Sequence, residues 1–275
     1  MKLLKNLKNN IRNPIFLKFL PDGNQFLGHM PKLKKTKISI KGSNNILFCE
    51  ENVIIENSSV VFNANNSLIY LCSGKHRYDI SIYNNSVFYV GKNNYFNPFG
   101  SKVKIIISEG KNILIGNNNL FSFNIFIRTA DPHLIYDVTS HKRLNLSKSV
   151  YIGDHIWIGQ DTTILKGTQI YSGSIIGTKS LVTNKIIPSN ETWGGNPAKI
   201  LKRNTFWEGS CVHSWNEELT EKRIIYPSDQ YIYNIDGSNI LYEEIEYKLQ
   251  SLLYANDKLL YLQNIRQDKN RFCKK

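Results

Sequence analysis

Branched aliphatic side chains return every six residues through the middle of the chain, at Ile152, Ile158, Ile164, Ile170, Ile176 and Val182. Small or polar residues stand between them, including Gly153, Gly159, Gly167 with Thr168, and Gly177. A period of six is neither the two of a strand nor the 3.6 of a helix. It fits a coil of three short strands and three corners. Each hexad then supplies one inward-pointing aliphatic residue and one corner where glycine accepts a positive φ. Stacked coils of this kind form a triangular prism, so the pattern predicts a mainly β protein built as a parallel β-helix.

The same frame appears upstream, where Ile115, Phe121 and Ile127 are again six apart, but the two frames do not join. From Ile127 to Ile152 is 25 residues, four hexads plus one, so part of the intervening chain must leave the wall. Residues 128–149, RTADPHLIYDVTSHKRLNLSKS, are polar and broken by Pro132, and they are expected to form a protruding loop. Such a loop on a rigid scaffold is a natural seat for chemistry. From Ile38 to Val103 short aliphatic runs alternate with Asn-rich turns such as Asn63 to Ser67 and Lys92 to Asn94. These read as earlier, irregular coils whose corners use the tolerance of Asn for left-handed backbone, the alternative being independent hairpins.

After the repeat, GGNPAKILKRN, from Gly194 to Asn204, is expected to leave the prism and cross back over its end. Beyond it, Leu241, Ile245, Leu249 and Leu252, followed by Leu259 and Leu262, fall at helical spacing. One or two amphipathic helices are predicted over 239–265, to cap the prism or join subunits. The expected organisation is a basic extension at 1–36, a β-helix domain at 37–204 containing the loop 128–149, and a C-terminal extension at 205–275.

The 275 residues are 41% hydrophobic and 21% charged, enough for a substantial core. Net charge is +13. A field of that sign attracts nucleic acid, an anionic membrane surface or an acidic substrate. The lysines are spread along the chain with no zinc-finger or RNP-like motif, which disfavours nucleic acid. The N-terminal cluster Lys2, Lys5, Lys8, Arg12 and Lys18 allows peripheral proximity to a membrane, but its apolar positions are too interrupted for a signal sequence or span. A cytoplasmic protein is expected. Cys49, Cys72, Cys211 and Cys273 form no C-x-x-C pair, so neither a structural zinc site nor a disulfide framework is predicted.

Of six histidines, His133 is the candidate base, because it sits in the register-breaking loop beside Asp131, Pro132, Tyr136 and Asp137. The stretch from Ile152 to Lys202, with its hexads and its N-P-A-K turn, resembles the hexapeptide-repeat acetyltransferases, whose fold is a left-handed parallel β-helix. In that family a catalytic histidine stands 24 residues before a wall tryptophan, and His133 stands 24 before Trp157. The loop sequence D-P-H-L-I-Y-D with the following H-K-R-L-N further resembles bacterial O-acetyltransferases of sialic acid and capsular polysaccharide. The resemblance implies an acetyl-CoA-dependent sugar O-acetyltransferase acting on a sialylated surface glycan, with His133 as general base and Trp157 lining the site beside thioester and acceptor. By the same resemblance Gln160, Thr178, Thr183 and Asn184 follow the pantetheine arm, and Lys199 and Lys202 meet the CoA phosphates. Arg128, Tyr136, Lys142 and Arg143 are candidates to hold an anionic acceptor. A homotrimer is implied, with the CoA groove between neighbouring prisms and each chain supplying part of every site. The sequence departs from the family pattern in having His155 where asparagine is common, Asn184 where lysine is frequent, and one extra residue after Thr183.

Three rival readings share this fold. A zinc enzyme could recruit His133, His141 and His155, but their spacings of eight and fourteen are not the expected pair five apart, and no metal is predicted. An N-acetyltransferase of a nucleotide amino-sugar would use the same prism and a histidine. A non-catalytic glycan-binding β-helix would need neither the 24-residue spacing nor the N-P-A-K turn.

Overall fold

A computed structural model describes residues 16–275. The predicted basic extension lies outside the described residues up to position 15. The rest of the chain winds into three walls. Wall 1 is a nine-stranded sheet running from Phe16–Phe19 through Gln25–Gly28, Ile46–Cys49, Leu68–Leu71, Val87–Val90, Asn112–Ile115, Val150–Ile152 and Gln169–Ile170 to Ile186–Ile187. Wall 2 begins with Lys32–Lys34, Val53–Glu56 and Gly74–His76. It continues in a second sheet through Tyr95–Phe96, Leu120–Phe121, Trp157–Ile158 and Ile175–Ile176 to Glu191–Gly194 and Lys199–Arg203. Wall 3 holds seven strands from Lys37–Ile40 to Leu181–Val182. Strands of successive coils pair in parallel, which is the predicted β-helix and excludes hairpins for the Asn-rich segment 38–103.

The hexad residues point inward and stack in columns. In wall 1 one column runs Cys49, Leu71, Val90, Ile115, Ile152, Ile170, Ile187. In wall 3 another runs Ile38, Val60, Ile80, Ile105, Ile127, Ile164, Val182. The irregular early coils therefore feed the same columns as the regular late ones, and their extra residues are absorbed at the corners. Asn44, Asn66, Asn85, Asn93 and Asn118 take positive φ there. Gly159 shows why some corners admit nothing larger: a Cβ at this position would lie 2.6 Å from the backbone nitrogen of Thr178 in the next coil.

Strand pairing extends upstream of residue 37. Gln25–Gly28 pairs with Ile46–Cys49, and Lys32–Lys34 with Val53–Glu56, so the latter part of the segment expected as an extension contributes wall strands. Leu27 is buried, which anchors this first coil although it carries no hexad signature. At the other end Glu191–Gly194 and Lys199–Arg203 pair antiparallel. The turn between them reaches over to wall 3, where Leu181 bonds Gly195 and Ala198, and then returns on wall 2.

The C-terminal extension does not take the first of its two expected seats, the end of the prism. Helix α1 (Glu217–Lys222) is short, and α2 (Tyr242–Ser251) and α3 (Ala255–Gln263) occupy the predicted 239–265 stretch. Instead of capping the prism, α2 and α3 lie along the outer face of wall 1. There Ile245, Leu249, Leu259 and Leu262 pack against Phe48, Tyr70, Tyr89, Leu114, Tyr151 and Tyr171. The physical reason is the strand alternation: these wall residues point outward, and a sheet apolar on both faces needs a second layer. No helix among the described residues is long and apolar enough to cross a membrane.

Candidate active site

The chain leaves wall 3 after Phe126–Arg128 and rejoins wall 1 at Val150–Ile152, so the loop projects from the corner where these two walls meet. It is tied to the coils on both sides. Below it, Arg143 makes two parallel hydrogen bonds to Glu109, of 2.9 and 3.0 Å, and Ser147 donates to the same carboxylate. Above it, the Lys166 ammonium lies 2.6 Å from Asp131. Tyr136 and Arg143 pair across the loop as an isolated antiparallel bridge. Arg143 holds the Glu109 carboxyl below its usual range, with help from Ser147, and Lys166 does the same for Asp131.

His133 is exposed near the head of the loop, and its ring makes no hydrogen bond among the described residues. Its backbone is held by Asn145, a buried side chain that donates to the His133 carbonyl (2.8 Å) and to Asp131 (3.0 Å) while accepting from the Ile135 amide (3.0 Å). The two carboxylates that flank His133 in sequence are engaged elsewhere, Asp131 with Lys166 and Asn145, Asp137 with the Thr139 and Ser140 amides of its own turn. Asn145, Glu109 and Lys166 were not singled out from the sequence. Only the fold brings residues so far apart to the foot of one loop.

Of the other acceptor candidates, Arg128 donates to the Ala130 carbonyl at the base of the loop, Lys142 is exposed, and Tyr136 is 53% exposed. Thr183 and Asn184 follow the last strand of wall 3, at the same corner as the loop. Asn184 accepts from Lys148 at 2.8 Å, and its amide donates to the Lys166 carbonyl.

Trp157 lies elsewhere. It is an outward residue of wall 2, in a cross-strand row that runs Tyr95, Leu120, Trp157, Ile175, Thr192, Lys202. Its indole is 41% exposed and its ring centre is 6.1 Å from that of Trp207. Gln160 and Thr178 occupy successive coils at the corner between walls 2 and 3, linked through the Lys179 amide, which donates to the Gln160 carbonyl at 2.9 Å. Lys199 and Lys202 are exposed on the last strand of wall 2. The candidates therefore form two groups. His133, Arg128, Tyr136, Lys142, Arg143, Thr183 and Asn184 share the corner of walls 3 and 1. Trp157, Gln160, Thr178, Lys199 and Lys202 share wall 2 and its edge with wall 3. In a three-walled prism wall 2 is the side opposite the loop corner, so one chain does not bring His133 and Trp157 together.

The remaining histidines have structural settings. His76 is buried, and desolvation lowers its pKa to about 4. His155 is stacked between Trp207 and Tyr231, with ring centres at 4.2 and 4.5 Å, and burial lowers its pKa as well. No group of three or more metal-ligating His, Cys, Asp or Glu side chains occurs among the described residues, so His133, His141 and His155 do not converge.

The fold defines the class: a three-walled parallel β-helix with an extruded, histidine-bearing loop between two of its walls. The chain is 32% identical over 182 residues to a polysialic acid O-acetyltransferase of Neisseria meningitidis, a match covering 65% of this chain and 82% of that protein. It is 38% identical over 102 residues to a polysialic acid O-acetyltransferase of Escherichia coli O1:K1, covering 37% of this chain but only 33% of that longer protein. Among solved structures, the polySia-specific acetyltransferase NeuO superposes with a TM-score of 0.63 at 29% identity, over 73% of this chain and 93% of that one. The polysialic acid O-acetyltransferase OatWY superposes with a TM-score of 0.58 at 25% identity, over 70% and 99%. No family model matches the chain. The chain belongs to the hexapeptide-repeat acetyltransferases of left-handed β-helix fold, within the family of the polysialic acid O-acetyltransferases.

Proposed function

We propose that this protein transfers the acetyl group of acetyl-CoA to a hydroxyl of a sialic acid residue in a surface glycan, in a site shared between two chains of a homotrimer. The observation that carries this reading is His133, a base held on a pinned loop with its ring free of hydrogen bonds among the described residues, in a chain of this family. In the proposed step an imidazole nitrogen of His133 takes the proton of the sugar hydroxyl as its oxygen attacks the thioester carbonyl. The C–S bond of the resulting tetrahedral species then breaks, and the CoA thiolate takes the proton from the imidazolium.

The separation of the two groups around the prism favours the shared site. Packing wall 2 of one chain against the loop corner of the next would set Trp157, Gln160, Thr178, Lys199 and Lys202 opposite His133. Exposed apolar residues on the loop, including Leu134, Ile135, Val138 and Leu146, suit such a contact. Along the wall-2 row, strands are roughly 4.8 Å apart, which puts Lys202 about 14 Å from Trp157. Trp157 would bracket the thioester, and Lys199 and Lys202 would reach the CoA phosphates. Arg128, Tyr136 and Lys142 lie on the loop where a carboxylate-bearing acceptor would sit, and Arg143, paired with Glu109, would hold the loop in place for it.

The test is transfer from labelled acetyl-CoA to a panel of sialylated and neutral glycans. Labelling confined to sialylated acceptors is expected, and His133→Ala should lower it at least about 10²-fold while CoA still binds. Unchanged turnover removes His133 from the mechanism, and transfer to nucleotide amino-sugars instead moves the assignment to nitrogen. Mixing His133→Ala chains with Trp157→Ala chains should restore activity through trimers that contain one intact site.

A further inference from the structure

Trp157 divides the outward row of wall 2 in two. Towards the C-terminal end of the prism lie Ile175, Thr192 and Lys202, the side proposed for CoA. Towards the other end lie Leu120 and Tyr95, about 5 and 10 Å away at strand spacing. On that second side the segment after the β-helix folds back over the wall and encloses a cleft of about 780 Å³. Trp207 anchors it: its indole nitrogen donates to the His155 carbonyl at 2.9 Å and its own carbonyl meets the His155 ring at 3.0 Å. Tyr231 closes the other face of the same imidazole. His155 is thus the middle layer of an aromatic stack that holds residues 207–233 against the wall, a role that needs a planar ring at this corner.

The lining mixes ring faces with unused polar groups. Tyr95 is 50% exposed at the mouth. Asn93 and Asn118, both lining the cleft, have side-chain amides that make no hydrogen bond among the described residues. Lys269 is exposed at the rim, where its ammonium donates to the Asp229 carbonyl at 3.3 Å and lies 5.4 Å from the centre of the Tyr233 ring, leaving further N–H donors towards solvent. The Glu208 carboxylate is turned back onto the amide and hydroxyl of Ser210. Flat apolar faces with free amides and a cation that keeps spare donors at the rim match a pyranose ring that carries an amide and a carboxylate.

We infer that this cleft binds the sugar residue next to the one acetylated, so that the protein reads at least two units of an anionic, amide-bearing glycan chain. The inference rests on the acceptor proposed above. It assigns to residues 207–233, with Tyr95, Asn93, Asn118 and Lys269, a positioning role that feeds the acceptor past Trp157 from the side opposite CoA.

The experiment is calorimetric titration of the full chain and of Tyr95→Ala with an α-linked sialic acid oligomer, with maltohexaose as the neutral control. Tyr95 is half exposed, so the variant should keep the melting midpoint of the wild type. Binding of the oligomer with no heat from maltohexaose is expected, weakened about tenfold in Tyr95→Ala and by a similar factor in Lys269→Gln, with CoA affinity unchanged. Equal affinity of wild type and Tyr95→Ala, or no binding of the oligomer to the wild type, overturns the inference. Acetyl transfer separates this from the parent reading. Transfer that persists while Tyr95 is without effect leaves the function standing and removes the cleft. Tyr95-dependent binding without any transfer does the reverse.

Discussion

Arg271 is the clearest place to test how the C-terminal tail is held. Its guanidinium is fully buried and makes two 2.8 Å hydrogen bonds to Asp154, itself only 5% exposed. A third bond of 2.8 Å goes to the Arg266 carbonyl, and the guanidinium lies 4.4 Å from the centre of the Phe272 ring. Around it the tail is stitched to the prism, where the Ser172 and Ser189 amides donate to the carbonyls of Phe272 and Lys274, and to the segment before α2, where the Ile240 amide donates to the Arg271 carbonyl. Arg271→Ala strands the Asp154 carboxylate in the interior with only the Asn117 amide as a partner among the described residues. Removing one member of such a pair costs about 3–5 kcal/mol, which for a chain of this length corresponds to a fall of roughly 6–15 °C in melting midpoint. Scanning calorimetry at a fixed heating rate measures it, and hydrogen exchange should show faster exchange at Ile240, Ser172 and Ser189. Because the penalty is an uncompensated charge, the double variant Asp154→Asn/Arg271→Met should recover at least half of the loss. A single-variant loss under about 1 kcal/mol, or no recovery in the double variant, would refute the reasoning.

Two further outcomes follow from the same geometry. Ile164→Ala should cost about 2–5 kcal/mol in denaturant unfolding, because Ile164 is fully buried between Ile127 and Val182, whereas Ile186→Ala, outward and 47% exposed, should cost under about 1 kcal/mol; equal losses would contradict the inward assignment of the hexads. The loop ties should weaken in acid. Glu109 and Asp131 have depressed pKa values in the folded protein, so their contribution is full above the unfolded carboxylate range near about 4 and is lost as pH falls through the depressed values. Pepsin should cut within 128–149 increasingly as pH drops below that range, less steeply in Asp131→Asn; a variant with the wild-type profile would rule out the Asp131–Lys166 tie as the cause.

The sequence by itself determined the repeat, and through it the walls. A six-residue period places one aliphatic side chain per strand inside the prism, and no other arrangement buries Ile152 through Val182 in common columns. The break between Ile127 and Ile152 likewise forced a loop out of the wall, because 25 is not a multiple of six, and so exposed His133. The helical spacing after residue 239 was equally legible, since Ile245, Leu249, Leu259 and Leu262 needed only an apolar partner to make it real. What that partner was could not be read. The outward face of wall 1 became apolar only once strand alternation was applied to coils whose sequence period is irregular, and this moved α2 and α3 from the end of the prism to its side. Tertiary structure alone decided the geometry of the site. Chain spacing put His133 and Trp157 24 residues apart, but the winding of the coil put them on opposite sides of the prism, where sequence distance has no bearing on which groups face one another. The same winding joined Arg271 to Asp154 and Trp207 to His155 across long stretches of chain, pairs that leave no local pattern because each half is ordinary until the other arrives.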